Sequence, residues 1–424
     1  MKNLVLFGFI ICSLVGCKQK EKSISIESQK NQIVIGQLDS IYSNILDESR
    51  ELWIHVPESA KDSTPYKTKY PVLYLLDGPS NFNPLTGMIE HLSGNMLVPE
   101  MIIVGIANTN RSLNFTPTQV DIDVISGDSI QYPSGGGSKF LDFIEKELIP
   151  HIEKTYPASA YKTFIGHSFG GLSVINALVN RKDLFNNYIA IDPSLWWDNR
   201  AFLNVADSIL STDKFDNRAL YVGVANTMEA GMKVDNVQND SIPDTYFTVH
   251  IKSILQFVNS VDTKKDNGLI FEWKYYNDDD HGSVSFIAEY DALRFLFRWY
   301  KLNGVNDFYS KNSTLNAQEV LNLVSTHYKK VSDHLGYEVF PPENFVNSIG
   351  NGFMYNDMPD KAYELLNLNI KNYPKSADVF EAMGEYYLFQ SDTLNAIKEF
   401  KIGLKIGENT KLREKLENLE NLEL

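Results

Sequence analysis

The stretch Tyr70-Pro71-Val72-Leu73-Tyr74-Leu75-Leu76 is apolar almost without a break, and shorter runs like it recur at Met101–Ile106, Thr163–Ile165, Tyr188–Ile191, Leu220–Val224 and Leu269–Trp273. A strand with one wet face alternates polar and apolar residues, so unbroken runs belong to strands covered on both faces. Amphipathic segments lie between them. Ser138 to Thr155 places Phe140, Leu141, Ile144, Leu148 and Ile152 on one side, with Ser138 as a candidate N-cap. Leu172 to Asn180, Asp244 to Val261 and Ser285 to Tyr300 follow the same pattern. Two earlier strand-like pieces, Ile33–Ile35 and Arg50–Val56, complete the series. Strand and helix alternating in this way predict an α/β architecture with a mostly parallel central sheet and right-handed crossovers.

Past residue 310 the apolar runs stop and helical periodicity takes over. Gly350 and Gly384, Phe353 and Tyr387, Ala362 and Ala396, and Leu366 and Phe400 form pairs 34 residues apart. Small residues at some positions and large ones at others let two helices approach closely and stack on the next pair; 34 residues is the tetratricopeptide period. Two repeats are fewer than an independent array needs, so helices at 316–333 and 409–422 are expected to cover their ends. A non-repeating helical appendage is the other reading. The expected division is an α/β domain over residues 33–305 and a small all-α domain over 316–424.

The N-terminus carries its own pattern. Lys2 precedes an apolar run, Leu4 to Val15, that is too short to span a bilayer and closes on Leu14-Val15-Gly16-Cys17. These four residues resemble a bacterial lipobox, which makes residues 1–17 a signal peptide, Cys17 the lipid-bearing residue and 18–32 a polar tether. The expected location is the bacterial cell envelope, with the membrane contacted only through that lipid. Cys12 and Cys17 are the only cysteines. A domain processed in this way has no thiol, which excludes a cysteine nucleophile and a thiolate metal site. A formal charge of −15 argues against nucleic acid as a partner.

Gly166-His167-Ser168-Phe169-Gly170-Gly171 follows a short apolar strand and opens a helix. The G-x-S-x-G pattern needs that setting, because its glycines permit the sharp turn that lifts a serine hydroxyl above the sheet edge. The Phe169 N–H, at the helix start, is placed to donate to an oxyanion. Serine needs a base. Of the eight histidines, His281 stands in a polar loop between the last apolar strand and a helix, where the order Ser, acid, His would put it. Glu229, the first carboxylate after Leu220–Val224, is the expected acid. Asp235 is the runner-up, and a Ser–His dyad is the remaining option. Asp77-Gly78, Asn108–Arg111, Ser168, Pro193–Asn199, Glu229 and His281 all close apolar strands, so they gather at the carboxyl edge where open α/β sheets place their sites.

The stretch from about residue 50 to 301 resembles the α/β-hydrolase esterases that include enterobactin-type siderophore esterases, S-formylglutathione hydrolases, feruloyl and acetyl-xylan esterases and mycolyl transferases. The resemblance rests on Tyr70 to Gly78, Gly105-Ile-Ala-Asn-Thr-Asn-Arg111 with Phe115-Thr-Pro117, Gly135 to Phe140 with Glu147-Leu-Ile-Pro150, and Gly166 to Gly171. Asp192-Pro-Ser-Leu-Trp-Trp-Asp198 and Asp280-His-Gly-Ser-Val284 complete it. The Asn-Thr-Asn-Arg, Pro-Ser-Leu-Trp-Trp and His-Gly-Ser-Val pieces are closest to the siderophore-esterase branch. The resemblance implies that the residue after Asp77-Gly78 supplies a second oxyanion N–H. That residue is Pro79, which has none, so Gly78 or Ser80 must take the role or the hole is weakened. Arg111 is expected to clamp an anionic or catechol oxygen, and Trp196 and Trp197 to stack on an aromatic ring or sugar face. The plainer alternatives are an arginine paired with a loop carboxylate and tryptophans that bury the loop.

These features predict an exported serine carboxylic-ester hydrolase without metal or organic cofactor. Its expected substrates are small-molecule siderophore-type esters or hydroxycinnamoyl and acetyl esters of carbohydrate, and a protein partner is expected at the helical repeats. An acyltransferase, or a catalytically weak esterase-fold binding protein, are the rival readings.

Overall fold

The computed structural model describes residues 32–60, 69–123, 126–237, 242–310 and 313–422. The expected signal peptide, Cys17 and nearly all of the tether lie outside the described residues. No helix among the described residues is long and apolar enough to cross a membrane.

The apolar runs form one eight-stranded sheet: β1 (Gln37–Ser43), β2 (Glu48–His55), β3 (Tyr70–Leu75), β4 (Ile102–Ile106), β5 (Ala158–His167), β6 (Asn187–Ile191), β7 (Ala219–Ala225) and β8 (Ile270–Tyr276). Their spatial order is β1-β2-β4-β3-β5-β6-β7-β8. The β1–β2 and β2–β4 pairs are antiparallel and every other pair is parallel. The expected strand at Ile33–Ile35 does not form; the first strand begins at Gln37. Every residue of β3, β4, β6 and β7 is buried, as unbroken apolar runs require.

Helices α1 (Gly78–Gly94), α2 (Arg111–Phe115), α3 (Gly137–Phe143), α4 (Ile149–Thr155), α5 (Phe169–Asn180), α6 (Ala201–Thr212), α7 (Val234–Val237), α8 (Val249–Asp262) and α9 (Val284–Leu296) fill the connections. A π-helical turn, Ile144–Leu148, joins α3 to α4 and makes them one continuous element, as the apolar stripe from Ser138 to Thr155 predicts. α1 packs with α9, while α3, α5, α6 and α8 form a chain of contacts against the sheet. The strand order reverses between β3 and β5, because the chain leaves β3 for β4 on one side and returns to β5 on the other. A crevice opens at such a switch point.

α10 (Val305–Phe308), α11 (Ala317–Leu335), α12 (Glu343–Tyr355), α13 (Pro359–Asn372), α14 (Ala377–Phe389), α15 (Thr393–Ile406) and α16 (Thr410–Leu422) complete the chain. The bounds of α14 and α15 repeat those of α12 and α13 with a shift of 34 residues. A Cβ on Gly350 would lie 2.7 Å from Leu366, and one on Gly384 would lie 2.2 Å from Phe400. Equivalent glycines therefore admit equivalent large side chains from the partner helix. The helical segment rests on the amino end of the sheet. His327 Nε2 lies 2.9 Å from the Tyr300 carbonyl oxygen, the His334 ring stacks on Trp299 with centroids 4.4 Å apart, and Tyr337 hydrogen-bonds Ser159 at the start of β5. Ser168 is at the other end of β5.

Candidate active site

Three strands end in residues forced into left-handed backbone: Asp77 after β3 (φ 54°), Ser168 after β5 (φ 61°) and Asp192 after β6 (φ 41°). Such a conformation costs a non-glycine residue about 1–3 kcal/mol and persists only where the surroundings impose it. All three lie at the carboxyl edge, around the switch point.

The turn at Ser168 is built by close approach. A Cβ on Gly166 would lie 2.5 Å from the Gly170 carbonyl carbon, so strand and helix meet only because that residue is glycine. The Ser168 N–H donates to Ile191 O at 3.0 Å, and its carbonyl accepts from Ser194 N at 3.1 Å. These bonds tie the turn to the end of β6. The Ser168 and Ser194 hydroxyls pair at 3.2 Å. Phe169 is the first residue of α5 and Gly78 the first of α1, positions whose N–H groups have no intrahelical acceptor. The Ser80 N–H donates to the Asp77 carbonyl, which leaves Gly78 as the better placed of the two candidate second donors.

Arg111 does not reach for a ligand. Its Nε and Nη2 fork onto the Asp77 carboxylate at 2.8 and 3.0 Å, and Nη2 also donates to the His167 carbonyl at 2.9 Å. The ends of β3 and β5 are thereby braced from α2, and Asn108 adds a bond to Asp77. The plainer reading of this arginine is the one the geometry follows. Trp197 is likewise structural. It is 1% exposed, its indole N–H donates to the Thr118 carbonyl at 3.1 Å, and its ring stands edge-on to Phe169. Trp196 is the one of the pair that lines the pocket over Ser168.

His281 lines the same pocket, and its Nδ1 lies 2.5 Å from Asp192 Oδ2. The expected acid, Glu229, is not there: it is exposed beyond the end of β7, and the carboxylate beside His281 comes from the end of β6. Asp235 is no closer to the role, since it sits on α7 with its side chain outside the pocket lining. Asp192 is fully buried and its oxygens are satisfied from three directions. His281 and His250 Nε2 (2.8 Å) share Oδ2, and the Ala225 N–H reaches Oδ1 at 3.0 Å. Burial alone would raise its pKa; the bonds and charge of His250 and the bond from His281 prevail and hold it well below the usual carboxylate range.

Two residues absent from the sequence reading of the site complete it. His250 falls on α8, within the predicted Asp244–Val261 helical segment, and faces Asp192 and the pocket. Ser194, inside the Pro-Ser-Leu-Trp-Trp run, pairs with the nucleophile candidate. The readable signal for Asp192 was a carboxylate directly abutting the apolar Tyr188–Ile191 run. His167 packs against His281 with ring centroids 4.4 Å apart, and burial lowers its pKa to about 4, so it is uncharged at neutral pH. The donor atoms of His167, Asp192 and His281 lie within 4.8 Å of one another. These are the described residues that could hold a metal, but the 2.5 Å contact between Asp192 and His281 is already a complete hydrogen bond.

The pocket encloses about 780 Å³, with Ser168, Phe169, Trp196, Met228, His250 and His281 in its wall. A serine on a strained strand–helix turn, an imidazole oriented by a buried carboxylate, and free N–H groups at two helix starts define a serine hydrolase of the α/β-hydrolase type. The chain belongs to the esterase family, whose model ("Putative esterase") matches residues 43–253, and it is a serine esterase. It is 29% identical to the ferri-bacillibactin esterase BesA of Bacillus subtilis over 256 residues, which is 57% of this chain and 83% of BesA. An IroE-like serine hydrolase from Shewanella oneidensis, 31% identical, superposes with a TM-score of 0.62 over 79% of this chain and 98% of its own. An uncharacterised Capnocytophaga ochracea protein, 18% identical with a TM-score of 0.59, covers 91% of this chain and all of its own, and so shares the fold of the helical segment too.

Proposed function

We propose that Ser168, His281 and Asp192 act as a triad that hydrolyses siderophore-type carboxylic esters. The observation that carries this reading is the 2.5 Å contact between buried Asp192 and His281 in the wall of the pocket that holds Ser168. The choice of substrate is supported by the likeness to BesA. In this reading Ser168 Oγ attacks the ester carbonyl while His281 Nε2 accepts its proton. The tetrahedral oxyanion is met by the N–H groups of Phe169 and Gly78. The C–O bond to the alcohol breaks as His281 returns the proton to the leaving oxygen. Water, deprotonated by the same imidazole, then frees the acid and restores the serine.

The test is fluorophosphonate labelling read by intact mass, followed by hydrolysis of a catecholate trilactone read by chromatography. A single adduct and trilactone cleavage are expected, both lost in Ser168→Ala. Labelling without trilactone cleavage would overturn the substrate assignment.

The same proposal places the chain in the bacterial cell envelope, lipidated at Cys17, with α12–α15 as two tetratricopeptide-like repeats that take a protein partner. The 34-residue shift of helix bounds supports the repeats. Metabolic labelling with palmitate, abolished by Cys17→Ser, tests the anchor.

A further inference from the structure

The proposed substrate class contains ligands of very different charge. A ferric tris-catecholate combines one trivalent cation with three dianionic catecholates and carries three negative charges; the iron-free ligand, its catechols protonated at neutral pH, carries none. The ester bonds are the same in both.

The wall of the pocket has a definite sign. Asp123 and Asp280 line it, and no lysine or arginine does among the described residues. Of the cations on neighbouring segments, Lys233 is exposed and outside the lining, and three are committed elsewhere. Arg111 is forked onto Asp77, and Arg200 and Lys252 both pair with Asp244. The remainder of the wall mixes neutral polar groups (Ser194, Asn226, Thr227) and the two histidines, of which His250 is matched by the buried Asp192 behind it, with an apolar and aromatic part. Trp196, Met228, Tyr246 and Phe247 line it, and Tyr246 and Phe247 are 77% and 45% exposed, edge-on to each other at 5.6 Å. Large exposed aromatics at the mouth of a pocket are surface that a ligand can cover. The positive ends of α1 and α5 point to the place of the reacting oxygen, so they serve the transition state rather than a charge carried elsewhere on the ligand.

We propose that this pocket selects uncharged aromatic esters and rejects anionic ones, so that the metal-free form of a catecholate ester is its substrate and the trianionic metal chelate is not. The inference rests on the reading of Ser168 as nucleophile. Two carboxylates acting from roughly 8 Å through a solvent-like dielectric disfavour a monoanion about fivefold and a trianion on the order of a hundredfold at low salt. At high ionic strength the Debye length falls to about 3 Å and most of that discrimination is screened.

Two ester pairs test it on the full chain. The first is 4-nitrophenyl 3-phenylpropanoate and the same ester with a para-sulfonate on the phenyl ring. The second is a catecholate trilactone, metal-free or loaded with gallium(III), which has the charge of ferric iron and no redox chemistry. The sulfonate is expected to lower kcat/KM about fivefold in dilute buffer, and gallium loading to lower it about a hundredfold. Both gaps should shrink in 1 M salt and in the double variant Asp123→Asn, Asp280→Asn. The second of these changes removes the charge at position 280 but keeps a side-chain oxygen to accept from the Gly282 and Ser283 N–H groups. Equal rates within each pair, or gaps unchanged by salt and by the variant, would overturn the charge inference while leaving the esterase reading in place. Cleavage of the 4-nitrophenyl esters but of neither trilactone form would instead overturn the siderophore reading, and the sulfonate pair would still decide the question of charge.

Discussion

His281 Nδ1 and Asp192 Oδ2 meet at 2.5 Å although 89 residues separate them in the chain. The contact fixes which nitrogen of the ring carries the proton. With Nδ1–H committed to the carboxylate, Nε2 is the nitrogen left to take a proton from serine. It also compensates the burial of Asp192, an ion that would be costly in the core without partners. Position and charge of Asp192 are therefore set together, by residues from β7, α8 and the loop after β8.

Asp192→Asn should leave the fold intact but present an amide that can hold the wrong tautomer of His281, lowering kcat on a 4-nitrophenyl ester by about 10³- to 10⁴-fold. Glu229→Ala should change kcat by less than about twofold, because Glu229 is exposed and away from the imidazole. A steady-state comparison of the two variants decides between the acids, and a reversal of their effects would restore Glu229.

His250 shares the carboxylate oxygen used by His281, at 2.8 Å. As a positioning residue it should matter less than the base. His250→Gln, which can still donate a neutral hydrogen bond, should cost about tenfold in kcat; His281→Ala should cost about 10⁴-fold or more. The pH–rate profile separates a positioning role from a merely structural one. The acidic limb of kcat/KM should move in His250→Gln, because the field on the Asp192–His281 pair has changed.

Much of this architecture was legible because it is written locally. The strand–turn–helix around Ser168 is a six-residue signal, and the apolar runs that became β3, β4, β6 and β7 needed no knowledge of their neighbours. His281 was reachable by position between β8 and α9. The carboxylate beside His281 was not. The expected order placed an acid after β7, whereas the carboxylate that meets His281 comes from the end of β6, the strand beside β5 and its Ser168 turn. Arg111 and Trp197 were offered to a ligand because their partners, Asp77 and Thr118, are 34 and 79 residues away. Long-range pairing decides whether a polar group near a site is free, and spacing along the chain does not encode it.

Two glycine-to-alanine substitutions should move stability in opposite directions. At Gly384 the new methyl would lie 2.2 Å from Phe400, forcing α14 and α15 apart at a cost of about 1–3 kcal/mol. At Gly87, an exposed position inside α1 with open space around it, the same change should stabilise by about 0.5–1 kcal/mol, by restricting the unfolded chain. Urea unfolding followed by circular dichroism measures both. A Gly384→Ala protein as stable as the parent would mean that the close approach of α14 to α15 is not required.

Glu289 lies on α9 among residues that face the core, and burial alone pushes its pKa up to about 8 from an ordinary value of 4.5. In the folded protein it is a neutral acid across the range where the unfolded chain has already released that proton. Between about pH 4.5 and 8 the folded state therefore binds one more proton than the unfolded state, and stability falls by about 1.4 kcal/mol per pH unit from this group. The contribution is fully present below pH 4.5 and lost once pH has risen through 8. His167, whose folded pKa is about 4, works in the opposite sense below its unfolded value, so the total curve of the parent mixes both. Glu289→Gln isolates the first, since His167 is common to both proteins and cancels in the difference. The variant should match the parent near pH 5 and exceed it by several kcal/mol near pH 8 in chemical unfolding. A difference that does not grow with pH would show that Glu289 is ionised in the fold and has found compensation for its charge.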